Sequence, residues 1–296
     1  MNPQKPFQLY GILGFPVKHT LSPVMQEAAF TCRGIKAYYL ALELDPIAFR
    51  KIMRKLPRLV LSGFNVTVPY KEKVIAYLDR LTPEARSVGA VNTVFRKGKK
   101  WVGANTDIDG FSASLKKEGG FNPKGKKVLV FGAGGAARGV VYGLCREGAQ
   151  SIWIANRRLS RAQKIAKDMK RFFPKTGWQT SNLSESSVKA ALDSVDLVIN
   201  ATSVGLSSND VSLFQLDLIP PAKRRKILFL DLIYDPEETC LLKAARRKGH
   251  RTLGGAGMLL YQGVKAFKYW TGKKAPVLQM KQALLKALKE RKRDYA

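Results

Sequence analysis

The sequence predicts an α/β protein with two domains. Apolar, strand-like segments alternate with helix-like segments along most of the chain, which is typical of α/β folds. A short apolar strand at 128–131 runs into the pattern Gly-x-Gly-x-x-Ala at 132–137 and then into a helix-compatible segment. At 296 residues, with an apolar fraction of 45%, the chain is long enough for two domains with sizeable cores.

Strand and helix alternate in the part of the chain that precedes the glycine pattern. Ser22 and Pro23 are predicted to open a helix as its cap and its first-turn proline. Pro69 is predicted to start another helix, which carries Lys71, and Gly98 is predicted to lie in the turn of a hairpin. The predicted elements are strands 9–15, 37–44 and 64–68, helices 22–30 and 46–56, and hairpin strands 90–96 and 99–104.

The same alternation continues after the glycine pattern. Strands are predicted at 151–155, 197–200 and 227–232, and a helix at 159–171. Segment 172–187 is polar and poorly periodic, so no element is predicted there. Two helices are predicted at the end of the chain, 258–270 and 276–289. The second has an apolar face that should pack on another element, formed by Met280, Leu284, Ala287 and Leu288.

The glycine pattern indicates a dinucleotide-binding site. Gly132 permits the tight turn, Gly134 allows the backbone to approach a pyrophosphate, and Ala137 allows the helix to pack closely on the sheet. The free N–H groups and partial positive charge of the helix N-terminus attract the phosphates. The alternative is a plain strand-to-helix turn built of small residues. The predicted phosphate-binding residues are Gly132, Ala133, Gly134, Gly135 and Ala136.

The end of the second strand indicates which dinucleotide is bound. Enzymes that use NAD commonly have a carboxylate there, which holds the ribose 2′-hydroxyl. This chain has Asn156, Arg157 and Arg158 instead. A guanidinium binds a 2′-phosphate that a carboxylate would repel. NADP(H) is therefore favoured over NAD(H), unless the two arginines are ordinary loop residues.

The formal net charge of +30 suggests an anionic partner. The basic residues are dispersed in small clusters, however, and no aromatic residues interleave with them as a platform for single strands would require. We interpret the charge as a solvated surface that attracts anionic small molecules and adheres to nucleic acid only at low salt. No dedicated nucleic-acid partner is predicted.

Cysteine and histidine usage indicates a reducing compartment and no metal site. The three cysteines are far apart in sequence, so the cytoplasm is the predicted location. The two histidines cannot build a metal site alone. No apolar run is long enough to span a membrane, and the first ten residues lack the features of a signal peptide, so no membrane partner is predicted.

A lysine and a carboxylate are candidates for proton chemistry. A helix N-terminus disfavours an ammonium ion, which suits a lysine such as Lys71 that must release a proton. Asp107 is a candidate partner. Residue types alone favour blander roles, a surface position for Lys71 and a helix cap for Asp107.

An ordered set of short motifs resembles the shikimate dehydrogenase family over nearly the whole chain. Each motif is modest alone, but the ordered set is highly specific. The motifs begin with Gly14-x-Pro16-x-x-His19-Thr20-Leu21-Ser22-Pro23, Asn65-Val66-Thr67-Val68-Pro69-Tyr70-Lys71, Gly89-Ala90-Val91-Asn92-Thr93 and Gly103-x-Asn105-Thr106-Asp107. After the glycine pattern and Asn156-Arg157-Arg158 come Asn200-Ala201-Thr202-Ser203-Val204-Gly205, Asp231-Leu232-Ile233-Tyr234-Asp235-Pro236 and Gly254-Gly255-Ala256-Gly257-Met258-Leu259-Leu260-Tyr261-Gln262.

The resemblance implies a reversible, NADPH-dependent reduction of 3-dehydroshikimate to shikimate in the biosynthesis of chorismate and aromatic amino acids. Lys71 matches the family's catalytic lysine and Asp107 its partner. The matched substrate-contacting positions are Thr20, Ser22, Asn65, Thr67, Asn92, Tyr234 and Gln262. Further matched cofactor positions are Thr202, Ser203, Leu232 and Gly255. Thr20 and Ser22 would reach the substrate carboxylate, although Ser22 could serve only as the helix cap.

The resemblance also implies a domain layout. An α/β substrate domain is expected at 1–108, with helices at 256–296 returning to it, and a Rossmann-like NADP-binding domain is expected at 109–255. The two lobes are expected to flank an open cleft. We expect a monomer or a homodimer, and the sequence does not decide between them.

Three alternatives remain at this stage. A quinate/shikimate dehydrogenase that uses NAD or NADP is the first, because Thr20 replaces a serine more usual in biosynthetic members of the family; Arg158, which replaces a threonine or serine, should strengthen NADP binding but blurs the comparison with relatives that use both cofactors. A Rossmann-like binding protein without catalysis is the second, although the chain keeps both Lys71 and Asp107. A nucleic-acid binder is the third.

Overall fold

The structure is a computed structural model that describes residues 7–206, 212–223 and 225–294. The chain divides into two units: a first unit of Met1–Thr106 with Leu260–Ala296, and a second unit of Asp107–Leu259. The boundary between the units falls between Thr106 and Asp107, which are neighbours in the motif Gly103-x-Asn105-Thr106-Asp107.

The first unit is built on a mixed six-stranded sheet in the order β2-β1-β3-β5-β6-β4. Strand β5 is antiparallel to both of its neighbours, and the other pairs are parallel. Gly98 lies in the predicted hairpin turn between β5 and β6, with a φ of 62° that favours glycine. The elements in chain order are β1 (Gln8–Gly14), α1 (Ser22–Cys32), β2 (Ala37–Glu43), α2 (Pro46–Arg54), β3 (Gly63–Val66), β4 (Arg80–Leu81), α3 (Pro83–Val88), β5 (Thr93–Lys97) and β6 (Lys100–Ala104).

The second unit is a parallel six-stranded sheet in the order β9-β8-β7-β10-β11-β12. Successive strands are added outward from β7 on one side and outward from β10 on the other, so the strand order reverses between β7 and β10, as in doubly wound dinucleotide-binding sheets. The elements in chain order are α4 (Asp107–Lys117), β7 (Lys127–Phe131), α5 (Gly135–Arg146), β8 (Ser151–Ala155), α6 (Leu159–Lys170), β9 (Gly177–Ser181), α7 (Glu185–Leu192), β10 (Leu197–Asn200), β11 (Leu228–Asp231), α8 (Cys240–Arg247) and β12 (Arg251–Leu253). The predicted fold class is confirmed.

Two helices, α9 (Ala256–Thr271) and α10 (Val277–Asp294), complete the described chain. Helix α10 packs on α1 within the first unit. Its predicted apolar face is buried, with no member of the set more than 9% exposed: Met280, Leu284, Ala287 and Leu288. Burial of this face stabilises the first unit by removing apolar surface from water.

Apolar side chains fill both faces of each sheet. In the first unit, the Phe49 and Tyr70 rings stack at 3.9 Å on one face, and Tyr10 stacks on Phe30 at 5.0 Å on the other. In the second unit, the central strand β10 is buried along its whole length. This continuous burial explains why β7, β10 and β11 are apolar runs rather than alternating ones.

Two sequence predictions about local structure are wrong. Lys71 is not in a helix, because residues 67–72 form turns and the next helical segment is the short 3₁₀ helix Lys73–Tyr77. The helix-dipole argument for this lysine therefore does not apply. Ser22 is not the cap of α1, because it is the first helical residue, and Leu21 occupies the cap position without a side-chain bond.

The structure also contains elements that the sequence did not predict. Segment 172–187 forms β9 and the start of α7, where the apolar residues are too few to show a period. Helices α3, α4 and α8 were not predicted either. Helices α3 and α8 are short, and capping rather than periodicity marks where they begin: Thr82 and Thr239 each accept a backbone N–H. None of the helices in the described ranges combines the length and apolar character needed to span a membrane.

His250 is a buried ring in the second unit, 4% exposed. Its Nδ1 accepts the Ile227 N–H at 3.2 Å, and its Nε2 lies 2.6 Å from the Pro220 carbonyl oxygen. These partners assign the neutral tautomer that carries its hydrogen on Nε2. Burial lowers the pKa of the ring from its usual 6.5.

We expect the free energy of unfolding to fall as the pH drops below about 6.5. His250 is then protonated in the unfolded chain, whereas its lower pKa keeps it neutral in the folded protein. This contribution is present above the unfolded pKa and is lost between that pKa and the lower folded one, by at most about 1.4 kcal/mol per pH unit. Denaturant unfolding at pH 7.5 and 5.5 would measure it in the wild type and in His250→Asn. The exposed His19 supplies the control variant, His19→Asn. Equal pH slopes for wild type and His250→Asn would contradict the assignment.

Candidate functional site

Polar side chains of the first unit converge where the ends of three neighbouring strands meet. Strands β3 and β6 end there, and the antiparallel strand β5 begins there. Asn65 lies near the end of β3, Asn92 and Thr93 lie at the start of β5, and Thr106 follows β6. The connectivity of the sheet therefore gathers residues that are far apart in sequence.

Asn65 is held at the centre of this group. Its Nδ2 donates to the Asn92 carbonyl oxygen at 2.8 Å and to Thr93 Oγ1 at 2.9 Å, and its Oδ1 accepts the Tyr39 hydroxyl at 2.7 Å. Asn65 is 3% exposed. Both of its donors are used inside the protein, so one lone pair on Oδ1 remains for a further partner.

Asn92 joins the other strands to this group. Its Oδ1 accepts the Thr106 N–H at 2.7 Å and hydroxyl hydrogens from Thr93 and Thr106 at 3.2 and 3.1 Å. Its Nδ2 lies 3.5 Å from Gln262 Oε1, at the long limit of a hydrogen bond. Asn92 Nδ2 and Gln262 Oε1 are therefore adjacent polar groups of the kind that bind a ligand hydroxyl.

Thr20 and Ser22 continue the row of polar groups toward α1. The Thr20 hydroxyl donates to Ser22 Oγ at 3.2 Å, and Thr20 Oγ1 accepts the Ser22 N–H at 3.3 Å. Burial raises the pKa of the Tyr39 phenol well above its usual value, and a side-chain hydrogen bond with Ser22 offsets part of that rise. We call this hydrogen-bonded set the polar row; its members are Thr20, Ser22, Tyr39, Asn65, Asn92, Thr93, Thr106 and Gln262.

Lys71 and Thr67 lie on the segment that follows β3. The Lys71 carbonyl oxygen accepts the Val91 N–H at 2.8 Å, and the Tyr70 N–H donates to the Thr67 carbonyl oxygen at 2.9 Å. The Thr67 methyl packs against Gly14, where an added Cβ would lie 2.3 Å from it. These contacts fix the backbone on both sides of the half-buried Lys71.

The remaining predicted residues divide between the units. Asp107 is the first residue of the second unit, is 4% exposed, and follows Thr106 of the polar row directly. Tyr234 also belongs to the second unit, three residues after β11. The other six predicted substrate-contacting residues all lie in the first unit: Thr20, Ser22, Asn65, Thr67, Asn92 and Gln262.

The glycine turn joins β7 to α5 in the second unit. Gly132 has a φ of 106°, and a Cβ there would lie 2.9 Å from the Ala201 carbonyl oxygen. Gly134 is the N-cap of α5 with an extended backbone, and a Cβ on it would meet no atom within 4 Å. The first glycine is therefore required by the fold, whereas the second leaves open space beside the N–H groups of residues 133–136. That space fits a pyrophosphate.

The segment after β8 carries the two arginines. The Asn156 N–H donates to the Ser181 carbonyl oxygen at 3.1 Å, and Asn156 Nδ2 donates to the Arg158 carbonyl oxygen at 2.9 Å, which fixes the turn. Arg157 and Arg158 are exposed, and neither forms an ion pair with a described carboxylate. Two unneutralised guanidiniums at this position fit a 2′-phosphate.

A buried amide and carboxylate shape the neighbouring strand ends. Asn200 Nδ2, at the end of β10, donates to both carboxylate oxygens of Asp231 at 3.0 and 3.1 Å, and Asn200 Oδ1 accepts the Thr202 hydroxyl at 2.8 Å. Asp231 also accepts the Thr239 hydroxyl and the Ile233 N–H. Burial raises the pKa of the Asp231 carboxyl, and these hydrogen bonds offset part of the rise.

The same bonds place the remaining predicted cofactor residues. Thr202 and the exposed Ser203 follow β10, and Leu232 follows β11. The Gly255 N–H donates to the Ile233 carbonyl oxygen at 3.0 Å. A Cβ on Gly255 would lie 2.1 Å from the Leu232 carbonyl oxygen, so this close approach requires glycine.

Sequence reasoning did not single out several residues that hold the site. Tyr39, Thr93 and Thr106 complete the polar row, and Asn200 and Asp231 hold the strand ends of the second unit. Thr93, Thr106, Asn200 and Asp231 lie inside motifs that were identified, so their types gave a signal. Tyr39 lies in an ordinary strand sequence, and only the tertiary structure brings its hydroxyl to Asn65.

Family models match three parts of the chain. The substrate binding domain of shikimate dehydrogenase matches residues 12–94, shikimate / quinate 5-dehydrogenase matches residues 114–233, and the shikimate 5′-dehydrogenase C-terminal domain matches residues 255–285. Together these models cover most of both units.

Whole-chain relatives give the same result. The shikimate dehydrogenase (NADP+) of Geobacter metallireducens is 41% identical over 282 residues, which is 95% of this chain and 97% of the relative. A crystal structure of a shikimate dehydrogenase in complex with NADP+ matches with a TM-score of 0.86 at 36% identity, over 95% of this chain and 96% of that one. The enzyme of Thermus thermophilus in complex with NADP(H) and shikimate matches with a TM-score of 0.82 at 34% identity, over 95% and 100%.

The resemblance seen in the ordered motifs is thus confirmed at the level of the whole chain. Sequence identity above one third over nearly the full length, together with the same fold, leaves one conclusion. The chain belongs to the shikimate dehydrogenase family.

Proposed function

We propose that this protein catalyses the reversible, NADPH-dependent reduction of 3-dehydroshikimate to shikimate, a step in the biosynthesis of chorismate and aromatic amino acids. The polar row of the first unit is the observation that carries the proposal. A small cyclic acid with several hydroxyls needs many short polar contacts, and the row offers hydroxyls and amides that are already oriented by one another.

NADP(H) is the proposed cofactor, and the second unit supplies the groups that would hold it. The N–H groups at the start of α5 would bind the pyrophosphate, and Arg157 and Arg158 would bind the 2′-phosphate. Thr202, Ser203, Leu232 and Gly255 would border the nicotinamide end. When bound, the cofactor supplies or accepts the hydride.

Lys71 is the proposed proton donor. Reduction of a ketone leaves an alkoxide, and an ammonium group can both stabilise that charge and deliver a proton to the oxygen. The bonds around Val91 and Thr67 hold the Lys71 backbone in place. We propose Asp107 as the carboxylate that orients the lysine and binds a substrate hydroxyl.

The substrate carboxylate is proposed to bind at Thr20 and Ser22. Ser22 does not cap α1, and its hydroxyl lies 3.2 Å from that of Thr20, so the two hydroxyls are placed to bind one carboxylate by exchanging their present hydrogen bonds. Asn65, Thr67, Asn92, Tyr234 and Gln262 are proposed to contact the ring hydroxyls. The methyl group of Thr20 makes quinate the second candidate substrate, since it alters the shape of the carboxylate site.

We propose a cytoplasmic location and a monomer or homodimer as the active form. The three cysteines form no disulfide in the structure, which supports a reducing compartment. The described residues contain no cluster of three or more metal-ligating side chains, and the proposed reaction requires none.

The proposed activity is tested by following the formation of NADPH or NADH during oxidation of shikimate and of quinate, each with NADP+ and with NAD+. We expect shikimate with NADP+ to be the best pair. Lys71→Ala should lower kcat by about 10²–10⁴-fold, since general acid catalysis contributes that much, while KM for shikimate changes little.

Lys73→Ala, two positions away on the following 3₁₀ helix, is the matched control and should keep wild-type turnover. No shikimate oxidation by the wild type would refute the activity. Wild-type turnover by Lys71→Ala would remove that lysine from the mechanism and leave the family assignment intact.

The two glycines of the turn should respond differently to alanine. Gly132→Ala should lower the free energy of unfolding by at least about 1 kcal/mol, because its φ is positive and its Cβ would collide with the Ala201 carbonyl. Gly134→Ala should change stability much less, because its backbone is extended and the space is open, so that the loss of a preferred N-cap residue is offset by the lower entropy of the unfolded chain.

NADPH binding should separate the two variants further. The methyl group of Gly134→Ala would enter the proposed pyrophosphate space, and we expect the Kd for NADPH to rise by about tenfold or more. Denaturant unfolding and fluorescence titration with NADPH measure both effects. Unchanged NADPH affinity in a folded Gly134→Ala protein would contradict the placement of the pyrophosphate.

A further inference from the structure

The solvent-facing side of α6 is unusually rich in cations. The helix buries Ala162, Ile165, Ala166 and Met169, and its exposed positions are largely basic. We call its exposed cations, together with the arginine that follows the helix, the α6 basic face; its members are Arg161, Lys164, Lys167, Lys170 and Arg171.

Acidic residues do not balance this face. Between residues 157 and 175 the only carboxylate is Asp168. Asp168 Oδ2 lies 2.6 Å from Arg138 Nη2, so its charge is matched by a cation on α5. The positive charge of the α6 basic face is therefore neutralised by no other carboxylate of that segment.

The helix dipole accounts for only part of this arrangement. Lys167 and Lys170 lie in the last turn of α6, where cations stabilise a helix, and Arg171 directly follows it. Arg161 and Lys164 lie in the first half of the helix, where the dipole gives no reason for a cation.

The face begins beside the proposed cofactor site. Arg157 and Arg158 directly precede α6. The Gly132 N–H donates to the carbonyl oxygen of Ala155, the last residue of β8, at 2.9 Å, which ties the glycine turn to this strand end. The cations therefore extend from the proposed 2′-phosphate site along the helix, which is about 18 Å long.

We propose that the α6 basic face is an electrostatic capture surface that speeds the association of phosphorylated dinucleotides with the second unit. This inference rests on the proposed function and adds a kinetic role for Lys164, Lys167, Lys170 and Arg171. A phosphate monoester carries about −1.5 to −2 charges, and the pyrophosphate adds to this. A surface of one sign beside a binding site raises the association rate of an oppositely charged ligand.

A dinucleotide fits the face better than a nucleic acid does. Single-stranded nucleic acids need aromatic side chains on which successive bases stack, and the exposed positions of α6 carry none; the exposed Phe172 that follows Arg171 is a single ring. The face also leads to the glycine turn, which binds a pyrophosphate rather than a polymer backbone of many phosphates.

Because salt screens charges, the contribution of each lysine to the association rate should fall with its distance from the start of α6. Lys164 lies about 8 Å from the start of α6 and Lys170 about 17 Å. The Debye length is about 8 Å at 0.15 M salt and about 30 Å at 0.01 M. Lys164 should therefore contribute at both salt concentrations, whereas Lys170 should contribute measurably only at the lower one.

The test is stopped-flow measurement of NADPH binding to the full chain at 0.01, 0.15 and 0.5 M salt. Lys164→Gln/Lys167→Gln should lower the association rate constant by about threefold or more at 0.01 M, and the difference should vanish by 0.5 M. The dissociation rate constant and kcat should stay within about twofold of wild type, because neither lysine is proposed to touch bound cofactor.

The matched control is Lys243→Gln/Arg247→Gln on α8. It removes the same charge from exposed positions of the same unit, on a helix that packs against β11 and β12 at the opposite edge of the sheet from β8 and β9. The control should lower the association rate constant much less than the α6 pair does.

Several results would overturn the proposal. Equal slowing by both double variants would mean that net charge acts without regard to position. An unchanged association rate at 0.01 M in the α6 pair would remove the face from cofactor capture. Binding of an RNA oligonucleotide by the wild type at 0.15 M salt, lost in the α6 pair, would assign the face to nucleic acid instead. If the wild type binds no NADPH at any salt concentration, the proposed function itself has failed.

Discussion

The hydrogen bond from the Thr106 N–H to Asn92 Oδ1, at 2.7 Å, is the interaction on which the substrate side of this protein depends. It joins the start of β5 to the segment after β6, and the Asn92 carbonyl oxygen joins both to β3 by accepting from Asn65 and Val66. Leaving these buried groups unpaired would cost about 1–3 kcal/mol each. The hydrogen bonds around Asn92 therefore orient the centre of the polar row before any ligand binds, which limits the ordering that binding must impose.

In the second unit, too, a buried asparagine joins the ends of neighbouring strands, here beside the proposed cofactor site. Asn200 bridges the ends of β10 and β11 through Asp231, and this bridge fixes Thr202 beside the glycine turn. In both units a buried asparagine, with two donors and one acceptor oxygen, joins neighbouring strand ends that carry functional groups. An apolar residue could fill the same volume, but it would leave backbone and hydroxyl groups without partners.

The sequence predicted the fold class and the glycine turn because both depend on local signals, a buried strand and small residues in a fixed order. It placed Lys71 in a helix because Pro69 is a common first-turn residue, yet the chain makes turns there and only a 3₁₀ helix follows. Ser22 was expected to cap α1 for a similar local reason. The role of Tyr39, which donates its hydroxyl to Asn65, could not be predicted. It depends on how the strands pair, and the periodicity of the sequence does not indicate which hydroxyl faces which amide.

The most direct test is a crystal structure of the protein with shikimate bound. We predict that shikimate lies against the polar row, with ring hydroxyls within hydrogen-bond distance of Asn92 Nδ2 and Gln262 and its carboxylate at Thr20 and Ser22. The Thr106-to-Asn92 bond should keep its length in the complex. Shikimate bound away from the polar row, or a complex in which the bonds of Asn65 and Thr106 to Asn92 are broken, would contradict a substrate site that is formed in advance by the buried asparagines.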